Sequence, residues 1–407
     1  LLQSSVMDDT IQTAIKAKGL NEPPAKNAKA DYATIVIGGG IPGCAAAYYL
    51  AKSGREVALI EEFDLNTQAS GRNAGSLHGQ IQHHPFVERG EEWARAFLPT
   101  LSFLVDSVAL WRELEAELET DLEVTTNGGI LVAETTDQMR DIERKVALER
   151  AAGYSSELIG RDDLERLAPY ISDSMVGGEF SPSEGTANPL LATPALAKAA
   201  THHGAAIHIH TKVLSIDSEP AGYHIITTKG SMRCRDLVIA AGSETSRLGS
   251  ILGKNLPVQD EAIQLSVTEP IERFVQHLVY FAGDALTFKQ SKTGTLLIGG
   301  GWPAYQPEPE GPVRVDVRSL RENLKVAQTV VPSIGRVRVI RAWTGIARRT
   351  PDLMPVIGKV SDRGQVVVGL FPHMGFTAGP LLGKTLSDLV LGRRSDRDLS
   401  PFSPDRF

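Results

Sequence analysis

The hydrophobic pattern of this chain is clearest at Thr34-Ile-Val-Ile37, an apolar run that stops at Gly38. Such a run reads as a strand buried on both faces. Small and apolar residues from Ala45 to Lys52 then read as a helix, and Arg55 to Glu61 as a second strand ending in an acid. Further on, Trp93, Phe97, Leu101, Leu104, Val108 and Trp111 recur at helical spacing and predict a helix over 89–118, with the aromatic residues in a core. Pro99 falls inside that pattern and predicts a kink or a split. The remaining elements expected are a strand at Gly128–Glu134, a charged helix at Thr136–Ala152, a short helix ending at Pro169 and a loop over Gly177–Asn188. A helix then runs to about His203, with Thr193 as its N-cap and Pro194 in its first turn. Ala206–Val213 reads as a strand that carries His208 and His210 on one face, and two more strands lie within 222–242. A β-rich stretch covers Val258–Trp302, followed by a helix at Val317–Val330 and a strand at Arg336–Trp343. The chain closes with a strand at Gln365–Gly369, a glycine loop, and a helix at Leu381–Leu391.

Gly38, Gly40 and Gly43 stand in the spacing G-x-G-x-x-G between the first strand and the first helix. In a dinucleotide-binding βαβ unit the first glycine makes a tight turn, the second admits the pyrophosphate, and the third lets helix and strand close up. The anion then meets free N–H groups at a helix N-terminus. Glu61 lies about 20 residues further on, where a carboxylate can hold a ribose hydroxyl. The alternative is an ordinary βαβ turn in another doubly wound protein. The last glycine loop, from Leu370 to Gly379, repeats the strand–glycine–helix logic.

At 407 residues, with 42% hydrophobic and 22% charged positions, the chain has the make-up of a globular enzyme with room for two domains. The net charge of −7, without basic runs, argues against nucleic-acid binding. No apolar run reaches the roughly 18 residues of a membrane span, so the expected location is cytoplasmic. Cys44 and Cys234 lie far apart and form no C-x-x-C, which argues against a disulfide framework, a zinc site or an iron–sulfur cluster held by this chain alone. Cys44 sits at a helix start, where its pKa can be lowered; packing close to the sheet is the plainer role. His208 and His210 have no third partner at suggestive spacing, so no metal site is expected. Residues 1–30, with Pro23-Pro24 and scattered lysines, read as an extension with a short helix near Thr10–Lys18 and without signal-peptide form.

On these motifs the chain resembles the D-amino-acid-oxidase-like flavoproteins over residues 31–407. The resemblance rests on Gly38–Gly43 with Glu61, on Ser70-Gly-Arg-Asn-Ala-Gly75, Val238–Gly242, Arg341–Gly345, Thr350-Pro-Asp352 with Pro355–Gly358, and the block Gly369–Gly383. Within that group, Gly75-Ser-Leu-His78-Gly-Gln-Ile-Gln and the closing Leu399–Phe407 are most similar to β subunits of opine oxidases and proline dehydrogenases. The resemblance implies an α/β fold in which a Rossmann-like FAD-binding domain (31–88, 163–258 and 339–407) interleaves with a mixed, mainly antiparallel sheet domain (89–162 and 259–338). It implies non-covalent FAD held by Gly38, Gly40, Ile41, Pro42, Gly43, Glu61, Glu62, Ser70, Arg72, Asn73, Ala74, Gly75, Val213, Ala241, Gly242, Gly345, Met374, Gly375, Phe376 and Thr377. Gly345 stands where monomeric sarcosine oxidase carries its flavin-linked cysteine, and Asn188 where the heterotetrameric enzyme carries a flavin-linked histidine. Ala347 replaces the arginine of glycine oxidase, and Ala262 a common basic residue two positions before Gln264.

The implied chemistry is oxidation of a C–N bond in an amino acid or opine-like secondary amine. His78 and His373 are the candidates to face flavin or substrate, and Arg348 is the candidate carboxylate clamp. The lack of electron-relay cysteines favours a β subunit whose partners carry iron–sulfur or FMN. A self-contained oxidase using oxygen, and an assembly subunit with a vestigial substrate site, are the other two readings.

Overall fold

The computed structural model describes residues 31–308, 311–361 and 365–407; the extension and its expected helix lie outside them. The first strand, β1 (Tyr32–Ile37), enters a turn at Gly38 and leaves it as helix α1 (Ile41–Lys52), which returns to β2 (Val57–Ile60). Both strands pair in parallel, with Val36 opposite Leu59. All of Thr34–Ile37 and Val57–Ile60 is buried, as the apolar runs require.

Helix α2 (His83–Glu117) is longer than its periodicity predicts, and it breaks at Gly90 (φ 80°, ψ −176°) rather than at Pro99. Phe97, Leu101, Leu104, Val108 and Trp111 are buried in the same core as α1, so this helix packs with the dinucleotide unit, not with the second domain where the sequence put it. It is long and apolar enough to cross a membrane by composition, but its apolar stripe is spent on that core. Strand β3 (Gly129–Ala133), helix α3 (Thr136–Ala151), strand β4 (Glu157–Gly160) and strand β5 (Gly177–Ser181) follow. The expected loop over 177–188 is therefore partly sheet: β5 lies between β3 and β4.

Helix α4 (Pro189–His202) begins earlier than expected. Its N-cap is Asn188, whose side chain accepts from the Leu190 N–H at 2.9 Å, and Pro189 takes the first helical position, so the signal at Thr193 and Pro194 lies inside the helix. Strand β6 (Ala206–His208) ends before His210, which turns left-handed (φ 52°) and pairs with Asp64 at 2.9 Å. His208 instead meets the Tyr32 hydroxyl at 3.4 Å. The two histidines do not share a strand face.

Strands β7 (Val213–Glu219), β8 (Gly222–Thr227) and β9 (Gly230–Ile239) form a meander whose last strand pairs in parallel with β1, Val36 against Val238. The second sheet takes β10 (Gln259–Pro270), β11 (Leu278–Phe281), β12 (Thr287–Gln290) and β13 (Thr295–Gly299), then, after helix α5 (Val317–Val330), strand β14 (Val339–Arg349). Its order is β14-β10-β13-β12-β11-β3-β5-β4, mixed and mostly antiparallel. The first sheet closes with β15 (Val356–Ser361) and β16 (Val366–Leu370), in the order β15-β16-β9-β1-β2-β6. The boundaries expected at 163 and 339 thus fall inside the second sheet's territory, because β5 and β14 belong to it.

The last helix, α6 (Gly375–Val390), starts six residues earlier than expected and lies directly on α1. A Cβ on Gly383 would stand 2.5 Å from the Pro42 carbonyl oxygen and 2.5 Å from Ala45 Cβ. Within the first unit, a Cβ on Gly43 would stand 1.9 Å from the Gly38 carbonyl oxygen. Gly43→Ala is expected to cost at least about 3 kcal/mol, the top of the overpacking range, because the obstacle is backbone. Gly54→Ala, at positive φ but with open space around it, is expected to cost about 1 kcal/mol. Urea denaturation of the two variants measures the difference.

Candidate active site

Two helix N-termini open on one cavity of about 840 Å³, near the upper end for ligand pockets. Neither α1 nor α6 has a side-chain cap, so the orphan N–H groups of both first turns are left for a ligand or water. The Ile41 N–H is the exception, donating to Ser70 Oγ at 2.9 Å. Glu61, at the end of β2, accepts from the Gly39 N–H at 2.6 Å and the Phe63 N–H at 2.9 Å. These contacts hold its carboxylate against the glycine turn. An uncapped glycine turn, a second uncapped N-terminus and a fixed carboxylate fit an anionic dinucleotide.

Beyond this floor the cavity reaches β10, β11 and β14 of the second sheet. One wall is ionic. His373 Nε2 lies 3.0 Å from Glu261 Oε2, and Arg349 donates to Glu261 Oε1 at 2.9 Å. The hydrogen bond from His373, then that from Arg349, outweighs burial and holds the Glu261 carboxyl down to about 2. His373 is left-handed (φ 52°), a conformation that costs about 1–3 kcal/mol in a non-glycine residue. Its N–H donates to the Arg348 carbonyl at 3.1 Å, which ties the α6 turn to β14. Arg348 itself is largely buried. Its Nε lies 3.2 Å from Asp260 Oδ1 without the alignment of a hydrogen bond, and one terminal nitrogen donates to the carbonyls of Ile346 and Ala347. Burial lowers its pKa and raises that of Asp260. The ion pair is imperfect on both sides, and the guanidinium retains capacity for a carboxylate.

The opposite wall is neutral. His78 Nδ1 lies 2.8 Å from the Tyr280 hydroxyl, and burial, with Lys289 and His373 adding to it, pushes the imidazole down to about 3. The ring is therefore uncharged at any ordinary pH.

The family profile "FAD dependent oxidoreductase" (DAO) matches residues 33–389. The chain belongs to this family. It is 28% identical over 383 residues to glycine oxidase from Geobacillus kaustophilus, covering 92% of this chain and 97% of the relative. Sarcosine oxidase subunit beta from Rhizobium meliloti is 24% identical, covering 93% and 89%. The solved structure of the G. kaustophilus glycine oxidase superposes with a TM-score of 0.83 at 26% identity, covering 93% of this chain and 100% of that one. L-proline dehydrogenase from P.horikoshii shares the fold, with a TM-score of 0.82 at 22% identity over 93% and 98% of the two chains. This protein is accordingly an FAD-dependent flavoenzyme of a family that oxidises C–N bonds of amino acids.

Most of the residues expected to bind FAD line the cavity: Gly38, Gly40, Pro42, Glu61, Glu62, Ser70, Arg72, Asn73, Ala74, Val213, Ala241, Gly242, Gly345 and Met374–Thr377. His78, Arg348 and His373 line it too. Ile41, Gly43 and Gly75 do not. Gly43 packs beneath the Gly38 carbonyl, Ile41 packs against Gly379, and a Cβ on Gly75 would meet the Ala187 carbonyl oxygen at 2.1 Å. They shape the lining from behind. Thr377 is committed to the protein, donating to the Ser76 carbonyl and accepting from the His78 N–H, while its own carbonyl accepts from Trp111 Nε1 at 2.8 Å. Gln264 also faces inward to the protein, clamping Asp316 at the start of α5. Cys44 is buried, which pushes its thiol up.

A buried charge network behind His78 escapes the sequence reading. Lys145 on α3 is fully buried, 3.0 Å from Glu149 and 2.6 Å from Glu179 on β5, and donates to Gln80 Oε1 at 3.0 Å. Burial disfavours its charge, but the two carboxylates outweigh that and raise its pKa. Burial, offset in part by Lys145, pushes Glu179 well up, whereas the burial of Glu149 is outweighed by Lys145 and its hydrogen-bond partners, which hold it down. The one available signal is that Ile142, Lys145, Val146 and Glu149 occupy the buried stripe of α3 at i, i+3, i+4 and i+7. Lys145→Met leaves Glu149 without its cation and is expected to cost about 3–5 kcal/mol, the usual penalty for breaking a buried pair. Chemical denaturation at pH 7 measures it.

Proposed function

We propose that this protein oxidises the C–N bond of a small amino acid or opine-like secondary amine, as the FAD-bearing catalytic β subunit of a heteromeric dehydrogenase. The observation that carries the chemistry is the pairing, in one cavity, of a neutral desolvated imidazole (His78) with an under-partnered guanidinium (Arg348). An amino acid presents a carboxylate and an amine, the two groups that a free guanidinium and a neutral imidazole bind. FAD, when bound, accepts a hydride from the C–H next to nitrogen. The Gly38–Gly43 turn and the free N–H groups of α1 and α6 would hold its phosphates and flavin edge, with Glu61 placed to hold a ribose hydroxyl. Arg348 grips the substrate carboxylate. His78, uncharged, accepts a hydrogen bond from the substrate N–H and keeps the nitrogen lone pair aligned. The resulting imine is released to water.

The heteromeric role is supported by similarity to sarcosine oxidase subunit beta and by a second cavity of about 710 Å³ beside Asn188, lined also by Lys289 and Arg341. It lies at the loop where the resemblance puts a second flavin. Partner subunits carrying FMN or iron–sulfur would take up the electrons. Buried thiols at Cys44 and Cys234 suit a cytoplasmic setting. A self-contained oxidase is favoured instead by the near-complete coverage of glycine oxidase.

The test is anaerobic. The FAD-loaded chain is mixed with octopine, nopaline, glycine, sarcosine, proline, and D- and L-amino acids, and the flavin absorbance is followed. Bleaching by one class identifies the substrate; no bleaching by any of them overturns the reading of this chain as the reductive subunit. Full turnover of the isolated chain with oxygen overturns the heteromeric role. His78→Asn is expected to slow bleaching by about 10²-fold, the lower end for a positioned acid–base group. Arg348→Ala is expected to raise the substrate concentration for half-maximal rate roughly 10–100-fold, the worth of a hydrogen bond to a charged group, with partial recovery in Arg348→Lys.

A further inference from the structure

The chain of hydrogen bonds behind His78 has one consistent direction for each protonation state of Glu184. Glu184 is fully buried and accepts from the Gly79 N–H at 2.8 Å on Oε1 and from Gln80 Nε2 at 2.8 Å on Oε2. The Gln80 amide cannot be turned round, because Lys145 donates to its oxygen. Both neighbours are thus obligatory donors. The third neighbour is the Tyr280 hydroxyl, 2.9 Å from Oε1. Ionised Glu184 takes the single Tyr280 proton. The Tyr280 oxygen must then accept from His78 Nδ1–H, and the proton-free Nε2 is left at the cavity wall. That nitrogen has no protein partner among the described residues. When Glu184 is protonated, Tyr280 is the one neighbour able to accept the new proton. The tyrosine proton then turns to His78 Nδ1, and the imidazole proton moves to Nε2.

We propose that Glu184 is a positioning residue that sets the tautomer of His78 through Tyr280, presenting Nε2 as an acceptor when ionised and as a donor when protonated. The heavy atoms need not move. The one proton added from solvent stays on Glu184, which donates it in a hydrogen bond to the Tyr280 oxygen; Tyr280 keeps its own proton and turns it to Nδ1; Nδ1 releases its proton to water in the cavity and Nε2 takes one up from that water, so the imidazole stays neutral. Burial lifts the Glu184 carboxyl to about 7, against the Gly79, Gln80 and Tyr280 hydrogen bonds that lower it, and Lys145 lowers it further. The other groups around the relay are Glu149 and Glu179 beside Lys145, and Lys289 and His373 facing His78. None of these converts the direction of the Tyr280 bond, because none bonds to Tyr280 or to Glu184. His78 itself stays neutral throughout this range, so the change is one of tautomer and not of charge.

The inference rests on the reading of His78 as the acceptor for the substrate nitrogen, but its primary test does not use substrate. In the FAD-loaded protein with ¹⁵N-labelled histidine, long-range ¹H–¹⁵N spectra report the His78 tautomer, assigned with His78→Asn. The expected result is Nδ1–H above pH 8 and Nε2–H below pH 6, with a midpoint near 7. Glu184→Gln and Tyr280→Phe should each abolish this swap, and either variant suffices if the other does not load FAD. A tautomer that does not change with pH in the wild-type protein, or a swap that persists unchanged in the variants, overturns the proposal. Anaerobic flavin reduction should fall about tenfold from pH 8 to pH 6, as expected one unit below the midpoint, and lose that dependence in Glu184→Gln. A swap that occurs while His78→Asn reduces normally overturns the acceptor role of His78 and leaves the coupling standing.

Discussion

The architecture depends on two helices that touch almost backbone to backbone. Helices α1 and α6 bring their N-termini to one cavity, each with a partial positive charge. Two like-pointing dipoles side by side repel, so the arrangement needs both very close packing and a negative ligand between the ends. Gly379 and Gly383 supply the first: the Ile41 side chain and the Pro42 carbonyl occupy the space where their Cβ atoms would be. FAD, in the site proposed for it, would supply the second. The same contact draws the last strand–turn–helix unit of the chain onto the first, and for that reason a fold with an inserted second sheet closes into one site.

The parts of this scheme written in local pattern were legible. A fully apolar run followed by G-x-G-x-x-G and a small-residue helix left little choice but a dinucleotide turn, and Val317–Val330 was read to the residue because its stripe and its Asp316 cap agree. Elsewhere a local signal lost to a better one. Thr193-Pro194 looks like a helix start, but Asn188-Pro189 offers the same chemistry one turn and more earlier, and the longer helix buries Ala192 and Leu196. Alternation through His208 and His210 looks like one strand, but the chain must turn at His210 to leave the parallel sheet and begin the meander. Strand β5 was hidden by its glycines. Gly177 and Gly178 are in the sheet because neighbouring strands come within 2.1–2.6 Å of where their Cβ atoms would lie, a reason that exists only in three dimensions.

The site divides in the same way. The residues proposed to hold FAD are concentrated in a few short motifs, since phosphates are gripped by backbone and backbone geometry is local. The groups proposed to meet or position the substrate come from Ser76–Gln80, β11, β14 and the turn before α6, and from a carboxylate in the turn after β5. Nothing in sequence links Glu184 to Tyr280 or to His78. Even the resemblance, which named His78, could not say which of its nitrogens would be free.

Lys145, Glu149 and Glu179 raise a question of energetics. A buried ion cluster of this kind yields little net stability compared with well-packed apolar residues, since desolvation consumes the attraction. Its contribution here is geometric. Lys145 fixes the Gln80 amide, Gln80 and Gly79 fix Glu184, and Glu184 leaves Tyr280 one direction in which to donate. Replacing the cluster with leucine and methionine would fill the volume and release the amide. The site would keep every residue proposed to touch the substrate and lose the constraint by which, on the present proposal, His78 presents one nitrogen rather than the other.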